Sequence, residues 1–419
     1  MNDEKLIPKL RFSGFDNEWQ TKKLSEISII NPKTKNLPKE FVYIDLDSVE
    51  KGILTKINKI TIDESPSRAQ RLLDVGDILF QTVRPYQMNN LYFDYEDDIY
   101  VASTGYAQIK SKINSKFLYH HLHHTKFVDA VLKRCTGTSY PAINANDLKK
   151  IKIKIPSDLN EQKLIGDIFD KIDAKIELLE NKHKYYQDFK KFLMQEIFAQ
   201  KLRFNDNCQY TTKKVKDFLV ESKIEGTDDI NKRLTVKLNL KGITIRESKT
   251  IEIEGATKQF IRKSGQFIYG KQNLHKGAFG IVPKELDGYL TSSDIPSFDF
   301  KGEIEPKWFY YYFSRKSFYE KLESLSTGTG SKRISPKEFL NIKIIVPEIE
   351  EQHRIVYLLE KFDEKINGIS NQIVQMNMFK KSLLQQMFNY MLLFIINISI
   401  VISELLSNDY IINTYKTNI

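Results

Sequence analysis

The sequence predicts two tandem globular domains of the mixed α/β (α+β) class, each followed by a long helix. Three observations support this fold class. The 419 residues are enough for two or three domains. Two stretches of the chain repeat one another at a distance of 190 residues, and apolar residues recur at helical spacing along both stretches. One plan therefore occurs twice in the same chain.

The repeat is clearest between residues 161–198 and 351–388, which align without a gap. Fourteen of the 38 aligned positions are identical, too many at one fixed offset for chance. Upstream, the apolar run at 151–156 matches that at 342–347 after a one-residue change of register. An internal repeat of this length indicates duplication of a whole globular part together with its helix.

Shorter motifs extend the repeat toward the start of each copy. The tripeptide Leu-Arg-Phe occurs at 10–12 and again at 202–204, and Thr-Gly-Thr occurs at 136–138 and 327–329. These matches predict the following domains: a globular part at 1–158, a helix at 159–202, a second globular part at 203–348, a second helix at 349–390 and an apolar, Asn-rich tail at 391–419.

Each predicted helix carries one apolar stripe, which is typical of a coiled-coil seam. Two matching stripes, each about 57 Å long at 1.5 Å per residue, favour packing of the helices on each other; the alternative is that each stripe docks on its own globular part. Glu161 and Glu351 lie at the helix starts, where the helix dipole favours negative charge. The seam residues are Ile165, Ile168, Ile172, Ile176, Leu179 and Leu193 in the first helix, and Ile355, Leu358, Phe362, Ile366, Ile369 and Leu383 in the second.

Short strands are predicted within the globular parts, where apolar runs are bounded by Gly and Asp. They are expected at 41–44, 77–80, 100–102, 251–254 and 342–346.

No catalytic motif is found in the sequence. A phosphate-binding Walker loop and the Asn/Asp-Pro-Pro-aromatic motif of an adenine methyltransferase are both missing. Four histidines, His120, His121, His123 and His124, have a spacing that allows two ligands on one helix face, but no carboxylate or thiolate stands at ligand spacing. We therefore expect a partly exposed, titrating helix surface and no metal.

Charge and cysteine content indicate the class of partner and the compartment. Lys and Arg number 64 against 54 Asp and Glu, and a surplus of +10 suits a phosphate backbone, although many basic proteins bind no nucleic acid. Two cysteines suit a reducing cytoplasm. The apolar run at 391–402 is shorter than the roughly 20 residues of a membrane-spanning helix, so no membrane anchor is expected.

Loops that mix glycine, hydroxyl, aromatic and basic residues are the candidate DNA-binding segments. Glycine lets backbone N–H groups approach a phosphate, Arg and Lys suit guanine edges, and Asn and Gln suit adenine; an ordinary solvated loop remains the alternative for each residue. The candidates in the first copy are Gln81, Thr82, Arg84, Tyr86, Arg134, Thr136, Gly137, Thr138, Ser139 and Tyr140. Those in the second copy are Lys271, Gln272, Asn273, Lys276, Thr329, Ser331, Lys332 and Arg333.

Over about residues 5–390 the chain resembles a specificity (S) subunit of a type I restriction–modification enzyme. The resemblance rests on the Leu-Arg-Phe entry with Trp19, on the paired Thr-Gly-Thr loops and on the paired Ile-Pro…Glu-Gln helix openings. Each motif is unspecific alone, but their repetition in this order is highly specific. The tail at 391–419 departs from the family pattern, which ends soon after Phe388.

The resemblance implies two target-recognition domains, each reading one half of a split sequence in double-stranded DNA, held apart by two antiparallel helices. It also implies two modification (methyltransferase) subunits that bind S-adenosylmethionine and methylate adenine, and restriction subunits that use ATP and Mg²⁺ for translocation and cleavage. The chain itself would hold no cofactor and catalyse nothing. An autonomous sequence-specific DNA-binding protein and a nuclease with an unrecognised motif remain alternatives.

Overall fold

The structure is a computed structural model that describes residues 8–34, 36–247, 257–326 and 333–388. The chain divides into two units, one formed by Met1–Glu180 with Asn371–Ile419 and the other by Asn181–Ser370. Both divisions fall inside a long helix. Each unit therefore contains one globular part and one half of each long helix.

The first unit contains small sheets with short helices beside them. Its strands are β1 (Gln20–Lys23), β2 (Ser28–Ile30), β3 (Glu40–Ile44), β4 (Val49–Glu50), β5 (Ile53–Leu54), β6 (Lys59–Thr61), β7 (Ala69–Leu72), β8 (Ile78–Gln81), β9 (Leu91–Tyr92), β10 (Tyr100–Ser103), β11 (Tyr106–Ser111) and β12 (Lys152–Ile155). Its helices are α1 (Leu24–Ile27), α2 (Ser115–His121), α3 (Thr125–Leu132), α4 (Ala145–Lys149) and the start of α5 (Leu159–Phe198).

The predicted strands of this unit are confirmed as β3, β8 and β10. Two four-stranded sheets are formed, in the orders β2-β11-β8-β9 and β6-β3-β10-β7, and β1 pairs with β12. The β3–β10 pair is parallel and its neighbours are antiparallel, so the unit is of the mixed class.

The second unit repeats much of this topology. Its strands are β13 (Tyr210–Lys214), β14 (Leu219–Ser222), β15 (Glu225–Gly226), β16 (Leu234–Val236), β17 (Ile243–Ile245), β18 (Gln259–Arg262), β19 (Phe267–Tyr269), β20 (Phe279–Ile281), β21 (Tyr289–Ser292), β22 (Ser297–Phe300) and β23 (Lys343–Pro347). Its helices are α6 (Pro306–Ser314), α7 (Lys316–Tyr319), α8 (Pro336–Leu340) and α9 (Ile349–Phe388), which continues into the first unit.

Corresponding sheets show that the duplication includes the globular parts. The β13–β23 pair matches β1–β12, and the sheet β14-β22-β19-β20 matches β2-β11-β8-β9. The strand predicted at 342–346 is confirmed as β23, whereas the one predicted at 251–254 lies outside the described residues.

The long helices pack on each other and run antiparallel. In the first unit, Ile165, Ile168 and Ile172 of α5 share a core with Leu383 and Phe388 of α9. In the second unit the opposite halves meet, because Ile197 of α5 lies in one core with Ile355, Val356 and Leu359 of α9. The start of α5 therefore lies beside the end of α9, and the end of α5 beside the start of α9.

The predicted seam residues pack the two helices on each other and also dock each helix on its own globular part. Both alternatives considered in the sequence analysis therefore hold in part. All of the seam residues are buried or half-buried. Near the starts of the helices the seam residues also belong to the cores of the globular parts: Ile165 shares a core with Phe117, and Ile355 shares one with Trp308. Burial of such side chains stabilises by roughly 1.5–3 kcal/mol each, so the helices are integral to both cores.

The repeated Glu-Gln pair at the helix starts is buried, and Glu161 lies in the first turn of α5 as predicted. Glu161 accepts two hydrogen bonds from the Arg11 guanidinium, at 2.7 and 2.8 Å, and one from Trp19 Nε1 at 3.2 Å. Gln162 accepts from the Asn114 N–H and donates to the Pro156 carbonyl. The pair thus connects the helix to the entry segment and to α2.

In the second copy the glutamine forms corresponding hydrogen bonds, whereas the glutamate has a different partner. Gln352 accepts from the N–H of Glu305, just before α6, and donates to the Pro347 carbonyl. Glu351 accepts from the Phe204 N–H at 2.8 Å. The glutamine of the Glu-Gln pair that recurs at the start of both long helices therefore forms similar hydrogen bonds in both copies, which sequence analysis did not identify.

No helix within the described residues is long and apolar enough to cross a bilayer. The tail at 391–419 lies outside those residues.

Candidate nucleic-acid interface

The four histidines at the end of α2 and in the turn after it are buried or, at His123, half-buried, so the expectation of a titrating helix face is wrong. His120, His121 and His124 are 1%, 5% and 2% exposed. Phe388 packs against His121 with ring centroids 4.7 Å apart, and burial lowers the pKa of His121 to about 3. Sequence analysis missed this burial because the covering residues are distant in the chain: Phe388 of α9 lies against His121 and His124, and Phe169 of α5 lies against His120.

Two of these histidines lie within hydrogen-bond distance of other groups. His120 Nε2 lies 2.8 Å from Asp170 Oδ1 on α5, and His123 Nδ1 lies 2.9 Å from the Tyr119 carbonyl. In the part of the chain that the structure describes, no group of three His, Cys, Asp or Glu side chains has a metal-binding arrangement.

The two candidate DNA-binding segments of the first unit lie side by side. Thr82 accepts the Ile143 N–H at 3.0 Å, and the Arg84 N–H donates to the Pro141 carbonyl at 2.7 Å. Val83 also forms an isolated β-bridge with Ala142. The segment after β8 and the loop after α3 are therefore held together by backbone hydrogen bonds.

A tight turn shapes the second of these segments. Thr136 and Ala142 exchange two backbone hydrogen bonds, at 2.9 and 3.0 Å. Gly137 has φ +90, and a Cβ there would approach the Tyr140 carbonyl oxygen to 3.0 Å, so the turn requires glycine. Thr138, Ser139 and Tyr140 are exposed beyond it, with Tyr140 64% exposed.

A cleft of about 550 Å³ opens between these segments and the β4–β5 hairpin. Arg84 and Tyr140 line it together with side chains that sequence analysis missed, since the hairpin carries no recognisable motif. The missed lining residues include Asp47, Glu50, Lys56, Gln87 and Asn89.

Gln81, predicted to read a base, lines the cleft but is only 2% exposed. Its amide nitrogen donates to Gln87 Oε1 at 2.9 Å, and its amide oxygen accepts the Asn89 N–H at 3.1 Å. Thr82 is half-buried and its hydroxyl donates to the Gly105 carbonyl. Tyr86 is exposed, and the exposed Arg134 donates to the Ala130 carbonyl at 2.7 Å.

The second unit brings its two candidate segments together in the same way. The Ile334 N–H donates to the Lys271 carbonyl at 2.9 Å, which is the counterpart of the Ile143–Thr82 hydrogen bond. Arg333 Nη1 lies 2.8 Å from Asp294 Oδ1, and the Lys271 N–H donates to the Asp294 carbonyl. Asp294 is a further residue that no sequence motif indicated.

The remaining candidates of this unit differ in exposure. Gln272 and Lys276 are exposed, while Asn273 is half-buried and its carbonyl accepts from the N–H groups of Lys276 and Ala278. Thr329, Ser331 and Lys332 lie outside the described residues.

The duplicated α/β domains, paired loops and antiparallel helices define a protein of two similar units, and comparison with known proteins places it in a family. The family model for the type I restriction modification DNA specificity domain matches twice, over residues 16–185 and 188–375. These matches cover most of the chain. The chain belongs to this family.

Individual relatives agree with the family match. The chain is 26% identical over 197 residues to the type I restriction enzyme MjaVIII specificity subunit of Methanocaldococcus jannaschii, covering 45% of this chain and 41% of that protein. It is 26% identical over 176 residues to the HindI specificity subunit of Haemophilus influenzae, covering 39% and 37%. These two alignments thus span about two fifths of each relative.

A solved structure shows the same fold over the whole length. The S subunit of a type I restriction–modification system from M. genitalium aligns with a TM-score of 0.59 at 15% identity, covering 92% of this chain and all of that one. At this identity the likeness supports the tandem fold alone.

Proposed function

We propose that the chain is the DNA-recognition subunit of a type I restriction–modification complex. Each unit would read one half of a bipartite sequence in double-stranded DNA. The observation that carries the proposal is the duplicated arrangement of paired loops, because two similar recognition surfaces on one chain suit a target with two separate halves. The family match to a DNA specificity domain supports it.

Catalysis would be performed by partner subunits. Two modification subunits would supply S-adenosylmethionine and adenine methylation, and restriction subunits would supply ATP- and Mg²⁺-dependent translocation and cleavage. Within this proposal the chain contributes binding energy and orientation, so that the methyl acceptor lies at a fixed place relative to the bound sequence.

Co-expression with the methyltransferase subunit of the same host tests the proposal. We expect the two proteins to co-purify, and we expect the complex to methylate adenine within one bipartite sequence, mapped by long-read sequencing. Sequence-specific binding by the chain without any such association would favour an autonomous DNA-binding protein. Metal-dependent cleavage by the chain alone would favour a nuclease.

A further inference from the structure

Arg84 is held in an unusual backbone conformation at the edge of the 550 Å³ cleft. Its φ is +53, in the left-handed region that residues other than glycine seldom adopt. The N–H of Arg84 donates to the Pro141 carbonyl, and Pro85 begins a short 3₁₀-helix directly after it. Such strained residues occur preferentially at functional sites.

The Arg84 guanidinium is oriented by an aromatic ring rather than by a carboxylate. Its Cζ lies 4.3 Å from the centroid of the Tyr140 ring. Among the residues that the structure describes, no acidic side chain is within ion-pair distance of it. A ring covers only the face of the guanidinium, so the N–H groups in its plane are available to a ligand.

The composition of the cleft favours base edges over phosphates as the ligand. Asp47 and Glu50 line it together with Arg84, Lys56 and Asn89. Carboxylates repel a phosphate, whereas the edges of base pairs present both donors and acceptors in the major groove. A cleft that combines cations, carboxylates and amides therefore matches base pairs better than it matches the DNA backbone.

We propose that Arg84 reads a guanine in the half-site bound by the first unit, with Tyr140 fixing the plane of its guanidinium. The two in-plane N–H groups would donate to guanine O6 and N7, the bidentate pairing that arginine geometry permits. This assignment rests on the proposed DNA-recognition function and specifies a base and the residue that selects it.

Selection from a DNA library randomised over both half-sites tests the assignment, using the purified complex with its methyltransferase subunits. In one half-site Arg84→Gln should lose roughly 5- to 150-fold discrimination at a single G·C pair, while the other half-site and the gap stay the same. Arg84→Lys keeps the charge but not the planar fork, so it should lose discrimination at the same pair. Both replacements are unbranched and tolerate the left-handed backbone similarly to arginine.

Variants of neighbouring residues separate orientation from general charge. Tyr140→Phe keeps the ring and should retain the guanine preference, whereas Tyr140→Leu should weaken it at the same pair. Arg134→Gln removes an equal charge from the adjacent loop. The Arg134 guanidinium donates a hydrogen bond to the Ala130 carbonyl of α3. This substitution should lower affinity for all sequences without changing the sequence selected.

Two results have different meanings. If the wild-type complex selects a bipartite sequence and Arg84→Gln, folded by its melting temperature, selects the same one, the assignment to Arg84 is overturned and DNA recognition stands. If the wild-type complex selects no bipartite sequence, the proposed function itself fails, and the assignment fails with it.

Discussion

At the residue scale, arginines at corresponding positions of the two copies contact different side chains. Arg11 and Arg203 occupy the same place in the Leu-Arg-Phe motif. Arg11 is an ion-pair partner of the buried Glu161, with side-chain exposures of 10% and 0%. Arg203 is exposed, donates to Gln200 and lies over the Tyr210 ring. The two arginines therefore form a natural pair of test and control.

Arg11→Ala is expected to destabilise the protein by about 3–5 kcal/mol, because it leaves the buried Glu161 carboxylate without its cation. Arg203→Ala should cost less than about 1 kcal/mol, as is usual for exposed positions. The midpoints of urea unfolding measure both effects. Equal losses of unfolding free energy in the two variants would show that the Arg11–Glu161 ion pair stabilises the protein no more than the contacts of Arg203 do.

Burial of His121 predicts an acid-sensitive fold. Burial holds the pKa of His121 below the usual value of 6.5, to about 3, so the unfolded chain takes up the proton first as the pH falls. Stability should therefore decrease below about pH 6.5, at up to about 1.4 kcal/mol per pH unit for this group, and the loss should end near its folded pKa.

His121→Phe should remove this part of the pH dependence. The corresponding position of α6 is the aromatic Tyr312, which packs on Phe198 as His121 packs on Phe388. Thermal unfolding near about pH 7.5 and about pH 5 compares the variant with the wild type. The exposed His353 provides the control His353→Gln, and an equally acid-sensitive His121→Phe variant would contradict the prediction.

At the element scale, α5 and α9 are joined by two equivalent ion pairs, one in each unit. Lys190 Nζ lies 2.5 Å from Asp363 Oδ1 in the second unit, and Lys380 Nζ lies 2.5 Å from Asp173 Oδ1 in the first. Both lysines and both aspartates are related by the 190-residue offset. The identities retained in the repeat thus include contacts across the helix pair.

Double-mutant cycles on these pairs should give coupling energies that agree with each other, at roughly 0.5–1 kcal/mol, since all four groups are partly exposed. The variants are Lys190→Met with Asp363→Asn, and Lys380→Met with Asp173→Asn. Asparagine keeps an acceptor for the Tyr311 hydroxyl, which donates to Asp363 at 2.6 Å. A cycle on the exposed Lys361–Glu364 pair of α9 should give a smaller coupling, and a larger one there would contradict this interpretation.

Sequence reasoning succeeded where periodicity or repetition carried the information. The long helices, the duplication and several strands follow from spacing along the chain. It failed where burial depends on distant parts of the chain. His121 is covered by Phe388, Gln81 is enclosed by its own loop, and the β4–β5 hairpin reaches the cleft through tertiary folding alone.

At the scale of the whole molecule, the helix pair is predicted to set the gap between the two DNA half-sites. The divisions between the units, at 180/181 and 370/371, are themselves related by the 190-residue offset. Inserting four helix-forming residues at both places lengthens each helix by about 6 Å, roughly one turn. It also preserves the pairings within each unit.

The insertion should lengthen the gap by one or two base pairs and leave both half-sequences unchanged, as mapped from methylated sites. The control is an insertion at the first place alone, which shifts one helix against the other and should reduce stability. An unchanged gap with an altered half-sequence would exclude the helices as a spacer.

The duplication also predicts that residues 1–204 alone form a homodimer. In the full chain, residues of α9 complete the core of the first unit, and Phe388 packs within 6.2 Å of Trp19 and 5.6 Å of Phe117 between ring centroids. The fragment lacks these residues but contains their counterparts at the end of α5. The pairs are Leu383 with Leu193, Leu384 with Met194, Met387 with Ile197, and Phe388 with Phe198.

A second copy of the fragment can therefore supply the missing side chains, and because the exchange is reciprocal the interface is isologous and closes as a dimer. Two identical recognition domains should then read a palindromic split site built from the first half-sequence and its inverted copy. Light scattering at micromolar concentration measures the state of the fragment. Phe198→Ala removes the ring that would take the place of Phe388, so it should shift the fragment toward monomer. A folded monomer of the unaltered fragment would show that the first unit needs no second helix, contrary to the shared core seen in the full chain.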